Sequence, residues 1–531
     1  MRNRLVGGRL GVLVGLAVGI VLPLSGLAAE GDISGVVAST NGPEEGVWVI
    51  AETTSLPTKF VKSVVTGDGG RYLIPDLPDA TYDVWVRGYG LVDSLRVVAE
   101  PGDTLDLEAT LAPTAAAAAR VYPANYWYSL LQPPESSEFP GTGDSGNGIA
   151  TTLQHQDQWI DIQKQGCMLC HQLGNRIIRE IDNLEQFDSS LAAWDHRVQM
   201  GQRGSQMTNV MNRFGRQRGL QMFADWSDRV AAGAVPPTPP RPRGIERNVV
   251  ISIWEWGTEI DYIHDEIATD KRDPSVNANG PIYGVNISND ALAILDPLTH
   301  RATNLEVPLR VDPDTVPGMI ARSMPAPSRF FGEELVWNDP ANPHNPMMDQ
   351  KGRVWMTSAI RNRANPDYCR DGSDNQYARY FPLDNGFRSA VFYDPQTQEF
   401  VMVDTCYGTH HLQFAEDEND TLYFSGGGQV IGWIDTRLYD ETGDEQLAQG
   451  WCPTVLDTNG DGVITKPWNE PARGGQPQDR DPDLDTRVVV GSYGVIGDPT
   501  DDKAVWISSN RFPGRLARLH VGDSPPQTCV T

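Results

Sequence analysis

The chain has 531 residues, with 70 acidic and 43 basic side chains, so its formal net charge at pH 7 is −27. A surface this acidic repels phosphate backbones, and we therefore expect no nucleic-acid partner. Hydrophobic residues make up 39% of the chain, which suffices for several buried cores, and chains of this length usually form about three or four domains.

Residues 1–29 have the features of a secretory signal peptide. Three arginines among the first nine residues precede an apolar run, Leu10–Leu24, which Pro23 interrupts, and small residues follow at Ala28 and Ala29. The run is shorter than the roughly 20 residues of a membrane-spanning helix, so we expect cleavage rather than anchoring. We therefore expect a periplasmic or secreted protein that has no membrane span once the signal is removed.

Residues 30–113 alternate apolar and polar side chains in short runs that are separated by turns. Examples are Val47–Ile50 and Tyr82–Val86. Several short strands at this spacing predict a small antiparallel β-sandwich. Residues 114–149 begin with the alanine run Ala115–Ala119 and are expected to be a linker.

Residues 150–233 change to helical spacing, because their apolar side chains recur at three- and four-residue steps, for example at Val210 and Phe214. This pattern predicts an α-helical domain. Residues 234–244 are rich in proline, and such a segment is stiff and extended. We therefore expect a second linker and a domain boundary there.

The helical segment contains Cys167-Met-Leu-Cys170-His171, called the CMLCH motif below. This spacing is the attachment signal of a c-type haem, in which both thiols bind one porphyrin and the adjacent histidine ligates the iron. The alternatives are a disulfide redox pair, which needs a thioredoxin-like βαβ context, and a zinc site, which needs a second ligand pair. That context is absent, and His155 and His196 are not paired in sequence. We therefore expect covalently bound haem c.

The sixth ligand of such an iron decides its role, because methionine or histidine is typical of electron transfer, whereas an open position allows ligand or peroxide chemistry. Met207 follows Gly204 and precedes a predicted helix, so we expect it in a loop over the haem face, as the sixth ligand. A packing role in a helix core is the alternative for each methionine. The other candidates are His196, Met200, Met211 and Met222.

Residues 245–531 return to a β pattern with a weak internal repeat. His344 and His411 are each followed five residues later by an acid, Asp349 or Glu416, and then by a turn and a strand. Repeated four-stranded units of this kind predict a β-propeller. About four blades can be recognised, so the ring is either incomplete or contains blades too divergent to recognise.

Three histidines, His344, His410 and His411, fall where propeller strands begin. Histidine acts there as an acid, a base or a metal ligand, and packing between repeats is the alternative role.

A second metal motif is the loop with Asp457, Asn459, Asp461 and Thr465, which matches the first nine positions of a calcium loop. Position 12 is Trp468, where an EF-hand has a bidentate glutamate. We expect a structural Ca²⁺ site here, and a solvated turn is the alternative.

The remaining four cysteines suggest disulfides in an exported protein. Sequence alone allows three pairings. Proximity along the chain favours Cys369–Cys406 and Cys452–Cys529.

The N-terminal and helical segments each resemble a known family. Residues 31–112 resemble the carboxypeptidase regulatory-like domain, a transthyretin-type sandwich, through Ile33-Ser-Gly35-Val-Val and Gly70-Arg-Tyr72-Leu-Ile-Pro-Asp. That resemblance implies a non-catalytic module of an exported protein. Residues 150–232 look like a cytochrome c domain through the CMLCH motif.

Residues 245–531 resemble the propeller of virginiamycin B lyase proteins through the blade repeats described above. The resemblance implies that a histidine and an acid near the propeller channel, with a divalent metal, open a lactone ring by elimination. Its loose counterparts here are His344, His411 and Glu416 as catalytic residues.

Three functions follow as hypotheses. The first is an exported c-type haem protein that transfers electrons, whose propeller binds a redox partner protein or a small-molecule substrate. The second is a metal-dependent propeller lyase with an accessory haem. The third is a non-enzymatic binding scaffold.

Overall fold

The computed structural model describes residues 30–181, 186–426, 429–471, 479–510 and 512–531. The expected signal peptide, 1–29, lies outside the described residues. The chain is multidomain and mostly β, with several sheets and few helices. Among the described helices, none has the length and hydropathy needed to cross a membrane.

Residues 30–113, the N-terminal β region, form two larger sheets around one hydrophobic core and a two-stranded sheet of β7 and β10. The side chains of Arg71–Ile74 alternate between solvent and core, as expected for strands with one buried face. One sheet has the order β2-β1-β5, with β9 beside β1, and the other contains β4-β3-β6-β8. The strands are β1 (Ile33–Ser39), β2 (Gly42–Pro43), β3 (Trp48–Thr53), β4 (Lys59–Val65), β5 (Arg71–Ile74), β6 (Tyr82–Arg87), β7 (Leu91–Val92), β8 (Val97–Ala99), β9 (Leu107–Glu108) and β10 (Thr110–Leu111).

Residues 114–233, the helical region, contain seven α-helices among the described residues. The longest, at the C-terminal end, packs against three others. Their shared core includes Trp159, Phe214 and Trp226, all fully buried. The helices are α1 (Ala115–Ala119), α2 (Ala124–Tyr128), α3 (Gln156–Gln163), α4 (Arg176–Arg179), α5 (Ser190–Arg197), α6 (Gly204–Phe214) and α7 (Arg216–Ala231).

The segment 114–149 is not the plain linker that we expected. The Thr114 hydroxyl accepts a hydrogen bond from the Ala117 N–H and caps α1, and alanine has the strongest helix propensity. Further along, Leu131 and Ile149 are buried in the core of the helical region. This segment is therefore part of the helical region.

The chain returns to the N-terminal β region after the proline-rich segment. Strand β11 (Val250–Glu255) pairs antiparallel with β4, so that the larger sheet has the order β11-β4-β3-β6-β8. Residues 245–255, expected to begin the propeller, therefore lead into and include a strand of this larger sheet. The helical region is inserted between two strands of the N-terminal β region.

Residues 263–520, the four-sheet region, form four consecutive antiparallel sheets in which strands follow chain order. Three sheets have four strands and the last has three. The strands are β12 (Ile263–Ile267), β13 (Ile282–Asn286), β14 (Ala291–Asp296), β15 (Arg301–Glu306), β16 (His344–Met348), β17 (Val354–Ser358), β18 (Ser389–Asp394), β19 (Glu399–Val403), β20 (Leu412–Phe414), β21 (Thr421–Phe424), β22 (Val430–Asp435), β23 (Gln449–Pro453), the separate pair β24 (Val455–Leu456) and β25 (Thr486–Arg487), and β26 (Ser492–Gly497), β27 (Ala504–Ser509) and β28 (Leu516–His520). Three short helices, α8 (Gln376–Tyr380), α9 (Thr436–Thr442) and α10 (Glu445–Ala448), lie in the connections.

Consecutive sheets pack face to face through shared hydrophobic cores, and the first strands of neighbouring sheets contact one another. This places β12, β16, β20 and β26 in one row along the inner edges of the sheets. Among the described strands, none closes a sheet on itself. The row of first strands positions the histidine site described below.

Two disulfides join the expected partners, Cys369–Cys406 and Cys452–Cys529. All four cysteines are buried. The second disulfide attaches the C-terminal segment to β23 of the neighbouring sheet. The pairing predicted from proximity along the chain is therefore confirmed.

Candidate functional site

The CMLCH motif lies at the C-terminal end of the first long helix of the helical region. Helix α3 continues into a π turn, Lys164–Met168, which contains Cys167. Both cysteines of the motif are free thiols: Cys167 is half-buried and Cys170 is exposed. The Cys170 and His171 N–H groups both donate to the Cys167 carbonyl oxygen, so the three residues form one compact turn.

The chemistry of this turn matches the donor set of a covalent haem site. Burial, with the neighbouring Cys170, raises the pKa of the Cys167 thiol to about 12, and burial also raises that of Cys170. Burial, with the nearby Arg197 guanidinium, lowers the pKa of His171, so its imidazole is neutral at pH 7. Two protonated thiols and a neutral imidazole at this spacing fit haem attachment and iron ligation.

A cleft of about 460 Å³ lies beside the π turn. It runs between residues that precede the motif, helix α6, and the connection that contains Met319. The side chain of Met319 is about half exposed, at 52%, and its role was not considered in the sequence analysis. The lining residues are Gln165, Gly166, Gln202, Arg203, Ser205, Gln206, Asn209, Val210, Arg213, Met319 and Ala321.

Met207 is not in a loop, contrary to our expectation. It lies within α6, its N–H donates to the Arg203 carbonyl oxygen, and its side chain packs against the helical core. The helix begins at Gly204, where the backbone approaches Gln199 so closely that a Cβ would lie 2.1 Å from its carbonyl oxygen. The glycine therefore allows the helix to begin before Met207.

The other expected sixth ligands have ordinary surroundings. Met211 and Met222 are buried in the helical core, His196 contacts the Phe187 ring with centroids 5.3 Å apart, and Met200 pairs with Ala326 through the backbone. Iron ligation by any of them stays a prediction.

A second site is formed by the first strands of the four-sheet region. At or next to its start, each of these strands carries an aromatic ring: His264, His344, His411 and Tyr493. His410 adds a fifth ring beside His411. The first strands of neighbouring sheets contact one another. These rings therefore lie close together, although the residues are far apart in sequence. We call His264, His344, His410 and His411 the histidine cluster.

The imidazole rings of the histidine cluster are in contact. The centroid of His344 lies 4.7 Å from that of His264, 4.5 Å from that of His410 and 5.0 Å from that of His411. The His410 and His411 centroids are 4.4 Å apart, and Tyr493 closes the cluster 4.3 Å from His411. In two groups of three residues, the potential ligand atoms all lie within 4.8 Å of one another: His344, His410 and His411, and His264, Asp265 and His344.

Asp265 is the acid of this site. Its Oδ2 lies 2.9 Å from His264 Nδ1 and 3.6 Å from His344 Nδ1, and it accepts a hydrogen bond from the Asn345 N–H at 3.2 Å. Burial alone would raise the pKa of Asp265, but the bond to His264 and the nearby imidazoles lower it. Asp265 is therefore the anion that faces the cluster.

Burial keeps three of the four imidazoles neutral. It lowers the pKa of His410 to about 3, and it also lowers the pKa values of His344 and His411. The buried Arg388 is a further cause for His344 and His410. The bond to Asp265 raises the pKa of His264 instead. The cluster therefore presents mainly unprotonated nitrogen atoms at pH 7.

Tyr262 connects the two sites. Its hydroxyl donates to the carbonyl oxygen of Leu169, within the CMLCH motif, at 3.0 Å. Its ring lies edge-on to His264 with centroids 5.6 Å apart. One side chain therefore contacts both the CMLCH motif and the histidine cluster.

The structure places only part of the expected catalytic set together. His344 and His411 are neighbours, but Glu416 is exposed beyond the end of β20, and its charge acts on Lys271. Sequence reasoning missed His264 and Asp265, because the long connection after β12 breaks the spacing of the repeat. The signal that was available is the pair His264-Asp265, which parallels His344-Asn345 at the start of a first strand.

The expected calcium loop forms a compact turn. Both carboxylate oxygens of Asp457 accept backbone N–H groups, from Gly460 and Gly462. Asn459 Oδ1 accepts from the Asp461 N–H, and Asp461 Oδ1 accepts from the Val463 N–H. The Thr465 N–H donates to Asp485. Binding of Ca²⁺ by these residues stays a prediction.

No family model matches the chain, and no curated protein matches it. Among solved structures, a streptogramin B lyase aligns with 47% of this chain and 67% of its own, at 13% identity and a TM-score of 0.16. Virginiamycin B lyase from Staphylococcus aureus aligns with 50% of this chain and 75% of its own, at 12% identity and a TM-score of 0.19.

A third solved structure, apo AztD from Citrobacter koseri, aligns with 55% of this chain and 64% of its own, at 12% identity and a TM-score of 0.20. Similarity at this level assigns neither a family nor an activity to the chain.

Proposed function

We propose that this protein is an exported c-type haem protein that transfers electrons between the haem and a partner or substrate held by the four-sheet region. The observation that carries the proposal is the CMLCH motif with two free thiols and a neutral imidazole in one turn. We propose further that the N-terminal β region is a transthyretin-type sandwich, the helical region a cytochrome c-like domain, and the four-sheet region part of a β-propeller.

In this proposal, Cys167 and Cys170 hold the porphyrin and His171 is the proximal ligand. The bound haem supplies one-electron redox chemistry. The chain itself orients the site: the turn hydrogen bonds to the Cys167 carbonyl oxygen fix the motif, and the bond from Tyr262 to Leu169 fixes the motif against the four-sheet region. A carrier bound near Tyr262 then lies beside both sites.

Export of the chain agrees with this assignment. Disulfides persist in oxidising compartments outside the cytosol, and the structure contains two of them. Covalent haem attachment also takes place after export. We therefore place the protein in the periplasm or among secreted proteins.

The absorption spectrum of the mature protein tests the proposal. The protein is produced in a host that attaches c-type haem, and the haem is reduced, denatured and measured in alkaline pyridine. We expect one covalently bound haem per chain, and none in the Cys167→Ser, Cys170→Ser double variant. Wild-type protein without covalent haem contradicts the proposal.

Replacement of the methionines identifies the sixth ligand. Met207→Ala is the variant predicted from sequence, and Met319→Ala tests the thioether that lines the cleft next to the motif. Loss of a methionine ligand is expected to convert the iron to high spin and to allow carbon monoxide to bind. If the spectra of both variants are unchanged, neither Met207 nor Met319 is the sixth ligand of the iron.

One observation favours a second function, the metal-dependent lyase. His344 and His411 are adjacent, and Asp265 supplies an acid that Glu416 does not. The lyase hypothesis predicts ring opening of a cyclic lactone by the wild type and not by His411→Ala. Equal product yields from wild type and variant, or none from either, contradict it.

A further inference from the structure

We propose that the histidine cluster binds one divalent transition-metal ion, through imidazole nitrogens of His344, His410 and His411. This inference goes beyond the proposed haem function, because it depends on residues of the four-sheet region and not on the CMLCH motif. Imidazole nitrogen is a preferred donor for Zn²⁺ and Cu²⁺, whereas Mg²⁺ prefers oxygen.

The geometry of the three rings is close to that of a metal site. Their potential ligand atoms lie within 4.8 Å of one another. Zinc–nitrogen bonds of about 2.0–2.1 Å in a tetrahedral site separate the nitrogens by about 3.3 Å. The side chains therefore need to approach one another by at most about 1.5 Å, which rotation about χ1 and χ2 supplies.

A buried nitrogen without a partner points the same way. His344 is only 4% exposed, and its Nδ1 makes no hydrogen bond. An unpaired polar atom in a buried position costs free energy. Coordination of an ion by His344 removes that cost.

The outer partners of the rings are those that metal-bound histidines usually have. Ligating imidazoles commonly donate their second N–H group to a carbonyl or carboxylate oxygen, which fixes the tautomer. His411 Nδ1 lies 3.0 Å from the Tyr493 carbonyl oxygen, so this nitrogen is the donor and Nε2 keeps its lone pair. His264 Nδ1 lies 2.9 Å from Asp265 Oδ2, an ion-pair contact that places a carboxylate beside this ring.

The charges near the cluster oppose each other. Arg388 is buried and disfavours a cation, and the Asp265 carboxylate favours one. The chain as a whole has a net charge of −27, which favours accumulation of cations near its surface.

Metal titration of the full-length Cys167→Ser, Cys170→Ser variant tests the inference, because this variant removes the two free thiols as competing ligands. The haem-bearing wild type is titrated in parallel. After chelator treatment, each protein is titrated with Cu²⁺, Zn²⁺ and Mg²⁺ by calorimetry. We expect one Cu²⁺ or Zn²⁺ per chain in both proteins, and no binding of Mg²⁺ at the same concentration.

Two variants assign the binding to the cluster. His410→Gln removes one ligand and is expected to lower the Cu²⁺ affinity by at least about tenfold. His520→Ala removes a histidine outside the cluster, which lies beside Asp501, and is expected to bind like the parent protein. Circular dichroism confirms that both variants are folded.

Electron paramagnetic resonance of the Cu²⁺-loaded parent gives a readout that does not depend on any variant. Splitting by several imidazole nitrogens supports the proposed site. A signal with oxygen donors alone, equal affinity in His410→Gln, binding of Mg²⁺ instead, or no stoichiometric binding overturns the inference. Failure here leaves haem attachment unaffected, since the pyridine assay reads only the CMLCH motif.

Discussion

Tyr262 has two contacts that belong to different parts of the molecule, Leu169 in the helical region and His264 in the four-sheet region. Tyr262→Phe keeps the ring and removes the hydroxyl. We expect the free energy of unfolding to fall by about 0.5–1.5 kcal/mol, the usual net contribution of one hydrogen bond.

Hydrogen exchange localises this effect. Amides of residues 168–171 are expected to exchange faster in Tyr262→Phe, because the bond that holds the motif against the four-sheet region is lost. Amides of β3, in the N-terminal β region, serve as the internal control. If amide exchange accelerates equally in residues 168–171 and in β3, the effect of Tyr262 is not local.

Asp290 makes stability depend on pH. Burial raises the pKa of this carboxyl from 3.8 to about 7, although its oxygens accept the N–H groups of Ala341 and Asn342. The folded state keeps a proton that the unfolded state releases, so the contribution of Asp290 to stability is fully present below about pH 4. It falls as the pH rises to about 7, by up to about 4 kcal/mol, and then changes no further.

Denaturant unfolding between pH 4 and pH 8 checks this prediction. Asp290→Asn is expected to flatten the decline, because the amide does not ionise. Asp296→Asn is the control, since Asp296 ends the strand that Asp290 precedes and its pKa is lowered, chiefly by the Thr299 hydroxyl. A decline of the same size in Asp290→Asn contradicts the assignment.

At single positions, sequence reasoning found motifs with fixed local spacing and missed sites that form between sheets. The CMLCH motif carries its spacing within five residues, and the structure holds it in one turn. The histidine cluster joins residues from three first strands, and loops of unequal length between them hide the correspondence. Met207 was misplaced because a glycine that usually ends helices begins one here.

The disulfide between Cys369 and Cys406 is an element-scale constraint, because it closes the connection that contains α8. Its cysteines are 37 residues apart, and chain-entropy models assign a loop of this length roughly 3–4 kcal/mol. Cys369→Ala with Cys406→Ala is expected to lower the free energy of unfolding by about that amount. Denaturant unfolding of the oxidised wild type and the double variant measures it, and an unchanged midpoint contradicts the prediction.

Strand β11 connects the N-terminal β region to the four-sheet region through Trp254. Its ring packs against Phe60 at 5.3 Å, and its Nε1–H donates to His300 Nδ1 at 3.0 Å. Trp254→Ala is expected to cost about 2–4 kcal/mol, since it removes this packing. Thermal unfolding measures the loss.

Trp254→Phe is the matched variant for this contact. It keeps a ring against Phe60 and removes the hydrogen bond to His300 with only part of the indole packing, so its cost is expected to be smaller, about 1–2 kcal/mol. Protease cleavage within residues 234–249 should increase in Trp254→Ala and change little in Trp254→Phe. Equal cleavage of both variants contradicts the role assigned to packing.

Secondary structure was predictable where one period dominates a segment, as in the helical spacing that gives α6 and α7. Domain boundaries were harder to predict, because they depend on contacts between residues that are distant in sequence. Nothing local in Val250–Glu255 indicates that it pairs with Lys59–Val65 rather than with the following strands. The pairing is seen only in the folded structure, where the two strands lie side by side.

At the scale of the whole molecule, the net charge of −27 gives the proposed haem function a test, because it favours association with cationic partner proteins. Electron transfer to a cationic partner protein is expected to slow by about tenfold when the ionic strength rises from about 0.02 M to about 0.2 M, because salt screens the attraction. Stopped-flow absorbance of the haem measures the rate. A rate that is independent of salt contradicts electrostatic steering of this partner class.

The insertion of the helical region between β10 and β11 has a consequence for the order in which the chain matures. A polypeptide that crosses a membrane from its N-terminus presents β4 as an open sheet edge until residues 250–255 have followed. By then the whole segment with the CMLCH motif has already emerged. Under the proposed function, haem attachment can therefore precede completion of the sheet that contains β4 and β11, and an open edge is the part of the nascent chain most exposed to aggregation.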